Sequence, residues 1–334
     1  MKRLRAGVIG LGVGERHIEG YRSHPDCDVV ALCDFSEDKL SMARTKYPGI
    51  RLTQRADELL QDPGIDVVSI ATYDNYHYQQ VVQAINNDKH IFVEKPLCLY
   101  ESEAAHIRRL LQEKPGLKMS SNLILRMSPR FRLLKQMIMD GDMGQLFYVE
   151  GDYNYGRLHK ITDGWRDKID FYSVVYGGGV HIIDLLLWLT DDKVVEVAAY
   201  GNNLASRDTS FRYNDMVVSI LKFQSGMIGK VAANFGCMSP HFHALSVYGT
   251  KATFVNGLEY GTLFESRDPT QSGRKITAVG HAKHEGDLVY SFVDSILNRS
   301  QAQVALEDIF KTMSVCFAIE KATHQSGSVV VRYI

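Results

Sequence analysis

Three groups of residues have the types and spacings from which chemistry could be built. The first is Gly10-Leu11-Gly12-Val13-Gly14, glycines on alternate positions between the apolar run Ala6-Gly7-Val8-Ile9 and Glu15-Arg16-His17. Without Cβ atoms the backbone there can take positive φ and let an anion approach the amides at a helix start. The spacing departs from G-x-G-x-x-G, because Glu15 stands where the third glycine would be. Asp34 completes this group by closing the apolar stretch Cys27 to Cys33, where a carboxylate can accept hydrogen bonds from an adenosine ribose diol. Phe35 and Ser36 follow it, rather than an arginine for a 2′-phosphate, so the expected cofactor is NAD(H) in preference to NADP(H).

The second group is Glu94-Lys95-Pro96, at the end of the apolar segment His90-Ile91-Phe92-Val93. Proline stops ladder pairing and keeps Lys95 out of the helical region, which turns its side chain off the strand end. A lysine there is either a solvated residue or a cation that holds a substrate hydroxyl and stabilises the alkoxide formed from it. As a base it would need a pKa well below its usual ~10.4. The third group is Gly177-Gly178-Gly179-Val180-His181-Ile182-Ile183-Asp184, which runs into an apolar helix. His181 and Asp184 are its ionisable residues and share a face at i and i+3. A histidine here is either a hydrogen-bonded core residue or a proton acceptor. Placed in a first helical turn, it would be kept neutral by the dipole, as a general base requires. One His and one Asp do not make a complete metal site, so no metal is expected.

These residues need strand ends and helix starts to hold them, and the chain supplies both. Residues 1–121 alternate strand and helix, with apolar strands at 27–33, 64–72, 90–93 and 117–121, which predicts a doubly wound α/β domain. From Asn122 the pattern changes to period-two strands at 147–155, 194–200, 216–223, 227–235 and 242–249, with Gln224-Ser225-Gly226 as a hairpin turn. The expected second domain, 122–334, is therefore α+β with a large, mostly antiparallel, open sheet. Helices are expected near 128–140, 284–297 and 305–324, and a last strand at 329–333.

At 334 residues, two domains are the prior expectation, and a net charge of −1 with scattered Lys and Arg offers no footprint for nucleic acid or an anionic membrane. No apolar run reaches the length of a membrane span, and Met1-Lys2-Arg3-Leu4-Arg5 leads into a strand without a signal-peptide core. Cytoplasm is the expected location. Five cysteines without a C-x-x-C pair indicate neither a disulfide framework nor a thiolate zinc site.

In their order and spacing, the glycine turn ending in His17, Asp34, Ala71-Thr72 with His77, Glu94-Lys95-Pro96, and the glycine run with His181-x-x-Asp184 resemble the Gfo/Idh/MocA oxidoreductases over nearly the full length. The resemblance implies a Rossmann domain, a carboxyl-terminal domain whose open sheet often serves oligomerisation, and reversible NAD(P)-dependent oxidation of a secondary alcohol on a sugar, sugar derivative or cyclitol. It implies that Gly10, Gly12, Val13 and Gly14 line the pyrophosphate, Asp34 the adenosine ribose, and Thr72, Tyr73 and His77 the nicotinamide side. Glu94 would touch the nicotinamide ribose, Lys95 the reacting hydroxyl, and His181 would be the acid–base residue. Two departures stand out: Gly177 replaces an aspartate common four residues before the histidine, and Tyr73-Asp74 replaces Pro-Asn. Asp184 or Asp170 could supply the missing carboxylate.

The expected substrate wall is Arg126, Tyr155, Arg157, Trp165, Arg166 and Asp184, whose rings and bidentate donors suit a polyol. His241 and His243 read as surface residues at a strand start. A homodimer or homotetramer is expected. The resemblance also implies two other functions, which remain open: redox-assisted glycoside cleavage with retained NAD, and a non-catalytic dinucleotide- or sugar-binding regulator.

Overall fold

The structure, a computed structural model, describes residues 3–280 and 286–334. Short apolar segments alternate with helices over the first third of the chain: β1 (Leu4–Ile9), α1 (Glu15–Arg22), β2 (Cys27–Cys33), α2 (Glu37–Lys46), β3 (Arg51–Thr53), α3 (Ala56–Leu60), β4 (Val67–Ile70), α4 (Asp74–Asn86), β5 (His90–Val93), α5 (Glu101–Glu113) and β6 (Met119–Ser121). The strands form one parallel sheet in the order β3-β2-β1-β4-β5-β6. Val67, Val68 and Ile70 of β4 are fully buried, as a sheet covered on both faces demands. The strand order reverses direction between β1 and β4, the position at which doubly wound sheets bind ligands beyond their carboxyl ends. Both the glycine turn and Glu94-Lys95 lie at such ends.

The rest of the chain forms α6 (Pro129–Met139), β7 (Leu146–Asn154), α7 (His159–Thr162), α8 (Val180–Thr190), β8 (Val194–Asn202), β9 (Met216–Phe223), β10 (Ile228–Asn234), β11 (Phe242–Gly249), β12 (Thr253–Asn256), β13 (Gly261–Phe264), β14 (Arg274–Ile276), α9 (Asp287–Ile296), α10 (Leu306–Thr323) and β15 (Val329–Val330). Its nine strands pair in the order β14-β13-β12-β11-β7-β10-β9-β8-β15. All neighbours are antiparallel except β7 and β10, which run parallel. Strands alternate as expected: Val149, Gly151 and Tyr153 of β7 are buried, while Tyr148, Glu150 and Asp152 face the other way. Strands β12 to β14 go beyond the expected set; at three or four residues they are too short to display a period.

The domain boundary differs from the expectation at 121. One unit holds residues 1–122, 284–310 and Ile334, and the other holds 123–283 and 311–333. The chain returns because α9 is amphipathic: Leu288, Val289, Phe292 and Val293 are buried, and Phe292 packs on Phe92 of β5 with ring centroids 5.8 Å apart. His24 and Asp294 fasten the same helix with a 3.1 Å hydrogen bond. The stretch expected as a helix at 284–297 begins partly outside the described residues; α9 starts at Asp287.

Candidate functional site

In the first unit the glycine turn is required by close packing at two of its three positions. Gly10 takes φ +91°, and a Cβ there would lie 2.3 Å from the carbonyl oxygen of Ala71. A Cβ on Gly14 would lie 2.1 Å from the Gly10 carbonyl oxygen. Gly12 is different: the space over it is open except for the Lys39 ammonium, 3.7 Å from where a Cβ would be. Val13 beside it is exposed. Backbone at Gly12 and Val13 is therefore open to an anion just before α1, as a pyrophosphate needs.

Asp34 is buried, and its carboxylate accepts from the Leu11 amide at 2.7 Å, the Ser36 amide at 2.9 Å and the Lys39 Nζ at 3.1 Å. This ties the end of β2 to the glycine turn. Phe35 is exposed, with its ring 5.6 Å edge-on from Tyr73, so the two rings flank the turns that follow β2 and β4. Thr72 donates through its hydroxyl to Gln80 at 2.8 Å. His77 departs from the expectation of a direct cofactor contact. It is fully buried, its ring nitrogens facing the Pro96 carbonyl at 2.6 Å and the Thr72 carbonyl at 3.2 Å, so it braces two turns from beneath.

Glu94 sits at the end of β5 within a buried network. Its Oε1 lies 3.2 Å from His17 Nε2 and accepts from Asn122 Nδ2 at 2.7 Å, and its Oε2 accepts the Lys95 amide at 3.2 Å. Burial pushes the carboxyl's pKa up, but the hydrogen bond and charge of His17, with Lys95 and Asn122, outweigh it and hold the group down at about 2. Glu94 is thus an ionised acid directly before Lys95. The partnership with His17 spans 77 residues, and neither residue's local pattern signals it.

In the second unit the environment of His181 explains the glycine run. The helix carrying it begins earlier than the sequence suggests: Val175–Gly179 form a π-helical turn that continues into α8. Ser173 caps this stretch, its hydroxyl accepting from the Val175 and Tyr176 amides at 3.2 and 3.4 Å. His181 therefore lies well inside the helix, and the expectation of a first-turn histidine governed by the dipole is withdrawn, because that effect fades beyond the first turn. The glycines make room for rings. A Cβ on Gly178 would lie 2.4 Å from Tyr153, and one on Gly177 would lie 2.1 Å from the Tyr172 hydroxyl. An aspartate at 177 would collide with Tyr172, so the departure at this position and the tyrosine go together.

Tyr153, itself buried, organises the rings around His181. His181 stacks on it at 6.0 Å, Tyr155 stacks at 5.6 Å, and His241 and His243 approach edge-on at 5.1 and 5.3 Å. His181 and His243 are 6.3 Å apart by ring centroids. His243 is buried, which corrects its reading as a surface residue; it alternates with the core residues Leu245 and Val247 along β11, a signal that was present in the sequence. Among the described residues no cluster is arranged to hold a metal. Arg157 lies 5.4 Å from the Tyr155 ring, and Arg166 lies 4.6 Å from Trp165 and 5.7 Å from Tyr172. Tyr155, Arg157, Trp165 and Arg166 thus gather around the same aromatic group as His181.

Arg126 and Asp184 do not join that wall. They form a buried ion pair, Nη2 to Oδ1 at 2.6 Å and Nε to Oδ2 at 3.0 Å, with Thr312 also donating to Asp184. At 4% and 0% exposure the pair fastens the segment after Asn122 to α8 and is withdrawn from substrate. Asp184 is thereby committed to Arg126 and closed to solvent, and Asp170 is an exposed residue.

Residues 4–121 match the model of the oxidoreductase family with an NAD-binding Rossmann fold, and residues 131–255 match the GFO/IDH/MocA C-terminal domain. The chain is 23% identical to myo-inositol 2-dehydrogenase of Thermotoga maritima over 98% of each chain. It is 26% identical to scyllo-inositol 2-dehydrogenase (NAD(+)) of Bacillus subtilis over 76% of this chain and 74% of that one. Its fold is similar to that of scyllo-inositol dehydrogenase from Lactobacillus casei, solved with NAD(H) and scyllo-inositol, at a TM-score of 0.82, 20% identity and 99% coverage of both.

Proposed function

The chain belongs to the Gfo/Idh/MocA oxidoreductases, and from that premise we propose that it is an NAD-dependent dehydrogenase reversibly oxidising a secondary hydroxyl of a cyclitol or sugar. The observation that carries this reading is the open backbone at Gly12 beside the anchored Asp34 carboxylate, a cradle shaped for a pyrophosphate and its ribose. The residues present fit the cofactor: glycine turn for pyrophosphate, Asp34 for the adenosine ribose, Thr72, Tyr73 and Glu94 toward the nicotinamide end. When bound, NAD⁺ supplies a hydride acceptor at nicotinamide C4, so that the alcohol carbon becomes a ketone. Support for a cyclitol substrate comes from the inositol dehydrogenases among its relatives.

The chain's own residues then take separate tasks. Lys95 binds the reacting hydroxyl, and its fixed positive charge stabilises the alkoxide that develops. The ionised Glu94 directly before it supports that charge and orients the strand end. His181 takes the hydroxyl proton. Tyr155 and Trp165 offer faces to the ring C–H groups, and Arg157 and Arg166 offer donors to its oxygens. Gly177 and Tyr172 leave no room for the aspartate of the family pattern at position 177, so an acid at that position takes no part in the proton transfer.

The outer face of the large sheet exposes Phe147, Tyr200, Ile220 and Val330, which supports a homodimer or homotetramer joined there. Five unpaired cysteines suit the reducing cytoplasm. The test is NADH formation when the full chain and NAD⁺ are screened against inositols and free sugars. Lys95→Met is expected to lower kcat by about 1,000-fold while leaving NADH affinity nearly intact; near-normal turnover would remove Lys95 from the chemistry.

A further inference from the structure

We infer that Lys39 makes the adenosine end of the cofactor site a dual one, able to hold the 2′-phosphate of NADP(H) as well as the ribose diol of NAD(H). The inference rests on the dinucleotide reading of the site and goes beyond the NAD preference that Asp34, Phe35 and Ser36 suggest.

An unscreened carboxylate at Asp34 would repel a 2′-phosphate. Here the Lys39 Nζ lies 3.1 Å from Asp34 Oδ2 and so cancels that charge at contact distance. The same ammonium lies 3.7 Å from the Cβ position of Gly12, which keeps it at the edge of the cofactor cradle. The cation that discriminates the phosphate is thus supplied by the first turn of α2 rather than by the residue after Asp34, where a sequence reading looks for it.

The two partners differ in their freedom to move. Asp34 has a 1% exposed side chain and is pinned by the Leu11 and Ser36 amides as well as by Lys39. Lys39 has a 40% exposed side chain and borders a cavity of about 390 Å³ between α1 and α2, lined also by Leu11, Glu15, Met42 and Lys46. Only the lysine end of the pair is solvated, so its flexible side chain can turn while Asp34 keeps its two amide donors. With NAD(H) the lysine stays on Asp34. With NADP(H) it turns to stand between Asp34 and the 2′-phosphate, a point charge that screens one from the other, a role suited to a flexible ammonium. Lys46 adds no net charge to the cavity, because Glu15 pairs with it at 2.7 Å.

The test is the affinity of the full chain for NADH and NADPH, measured by calorimetry without substrate. The wild type is expected to bind NADPH within about tenfold of NADH, Lys39→Met to weaken NADPH by about tenfold or more and NADH by less than about threefold, and Lys39→Arg to restore NADPH binding. Added KCl should weaken NADPH more than NADH. Equal loss of both dinucleotides in Lys39→Met would overturn the inference by making Lys39 a pyrophosphate contact, and so would an unchanged NADPH-to-NADH ratio. A wild type that binds NADH and no NADPH also overturns it. Failure to bind either dinucleotide removes the dehydrogenase reading itself, a distinct outcome.

Discussion

Asp34 in the first unit and His181 in the second are both buried polar groups near a glycine-rich turn, yet they are positioned by opposite means. Asp34 is held by the amides of Leu11 and Ser36, and the turn it meets is shaped by backbone pressing on backbone, Gly10 against Ala71 and Gly14 against Gly10. His181 is placed by side chains, with Tyr153 from β7 and His243 from β11 around it and glycines that yield to rings. A site built from backbone tolerates almost no substitution at its glycines, because carbonyls cannot repack. One built from rings can shift, because side chains at its border have alternatives.

The largest effect should therefore come from Gly14→Val. Its added Cβ would overlap the Gly10 carbonyl at 2.1 Å and the Ala71 side chain at 2.9 Å. NADH affinity is expected to fall at least about 1,000-fold, or about 4 kcal/mol, measured by calorimetry on the full chain. Binding within tenfold of wild type would break the contrast, since it would mean that this turn also yields.

A second, somewhat smaller effect tests whether the first unit's rigidity extends to Glu94. Its folded pKa of about 2 lies below the ordinary 4.5, so the unfolded chain takes up the proton first as pH falls. The stability it contributes is complete above pH 4.5 and is lost between about 4.5 and 2, an amount on the order of 3 kcal/mol. Urea unfolding followed across this window should show a steep loss in the wild type and a shallower one in Glu94→Gln. Parallel curves would mean that Glu94 is not held by its partners as the distances suggest.

The same contrast decides what the sequence revealed. The backbone-built half was legible because its determinants are local: glycines at 10, 12 and 14, an acid at the end of β2, and apolar strands of a covered parallel sheet. Lys39 was missed even so, since a lysine in a helix's first turn carries no pattern, although it lies only five residues from its partner. The ring-built half was legible as strands and as a buried helix, but not as a site. Nothing near Arg126 announces Asp184, 58 residues on, so the local pattern offers both as substrate contacts, whereas they form a buried pair. Nothing near Gly177 shows that a π-turn precedes α8, which moved His181 out of the first turn. The period-two burial of β11 could have placed His243 inward, because Leu245 and Val247 carry the same phase.

The smallest effect probes the yielding half directly. Gly178→Ala places a methyl 2.4 Å from the Tyr153 ring and 2.8 Å from Phe235, and overpacking of this kind costs about 2 kcal/mol. Because Tyr153 stacks on His181, the ring's displacement should lower kcat while NADH affinity, fixed in the other unit, stays unchanged. Tyr153→Leu removes the ring that the methyl meets, so the double variant should recover part of the lost stability, and the coupling energy from the four proteins should be favourable to the pair. It should not recover kcat, since the surface against which His181 stacks is gone. Additive stabilities would show that the methyl is absorbed by Phe235 or by the helix instead, and a drop in NADH affinity would show that the two halves are not built independently.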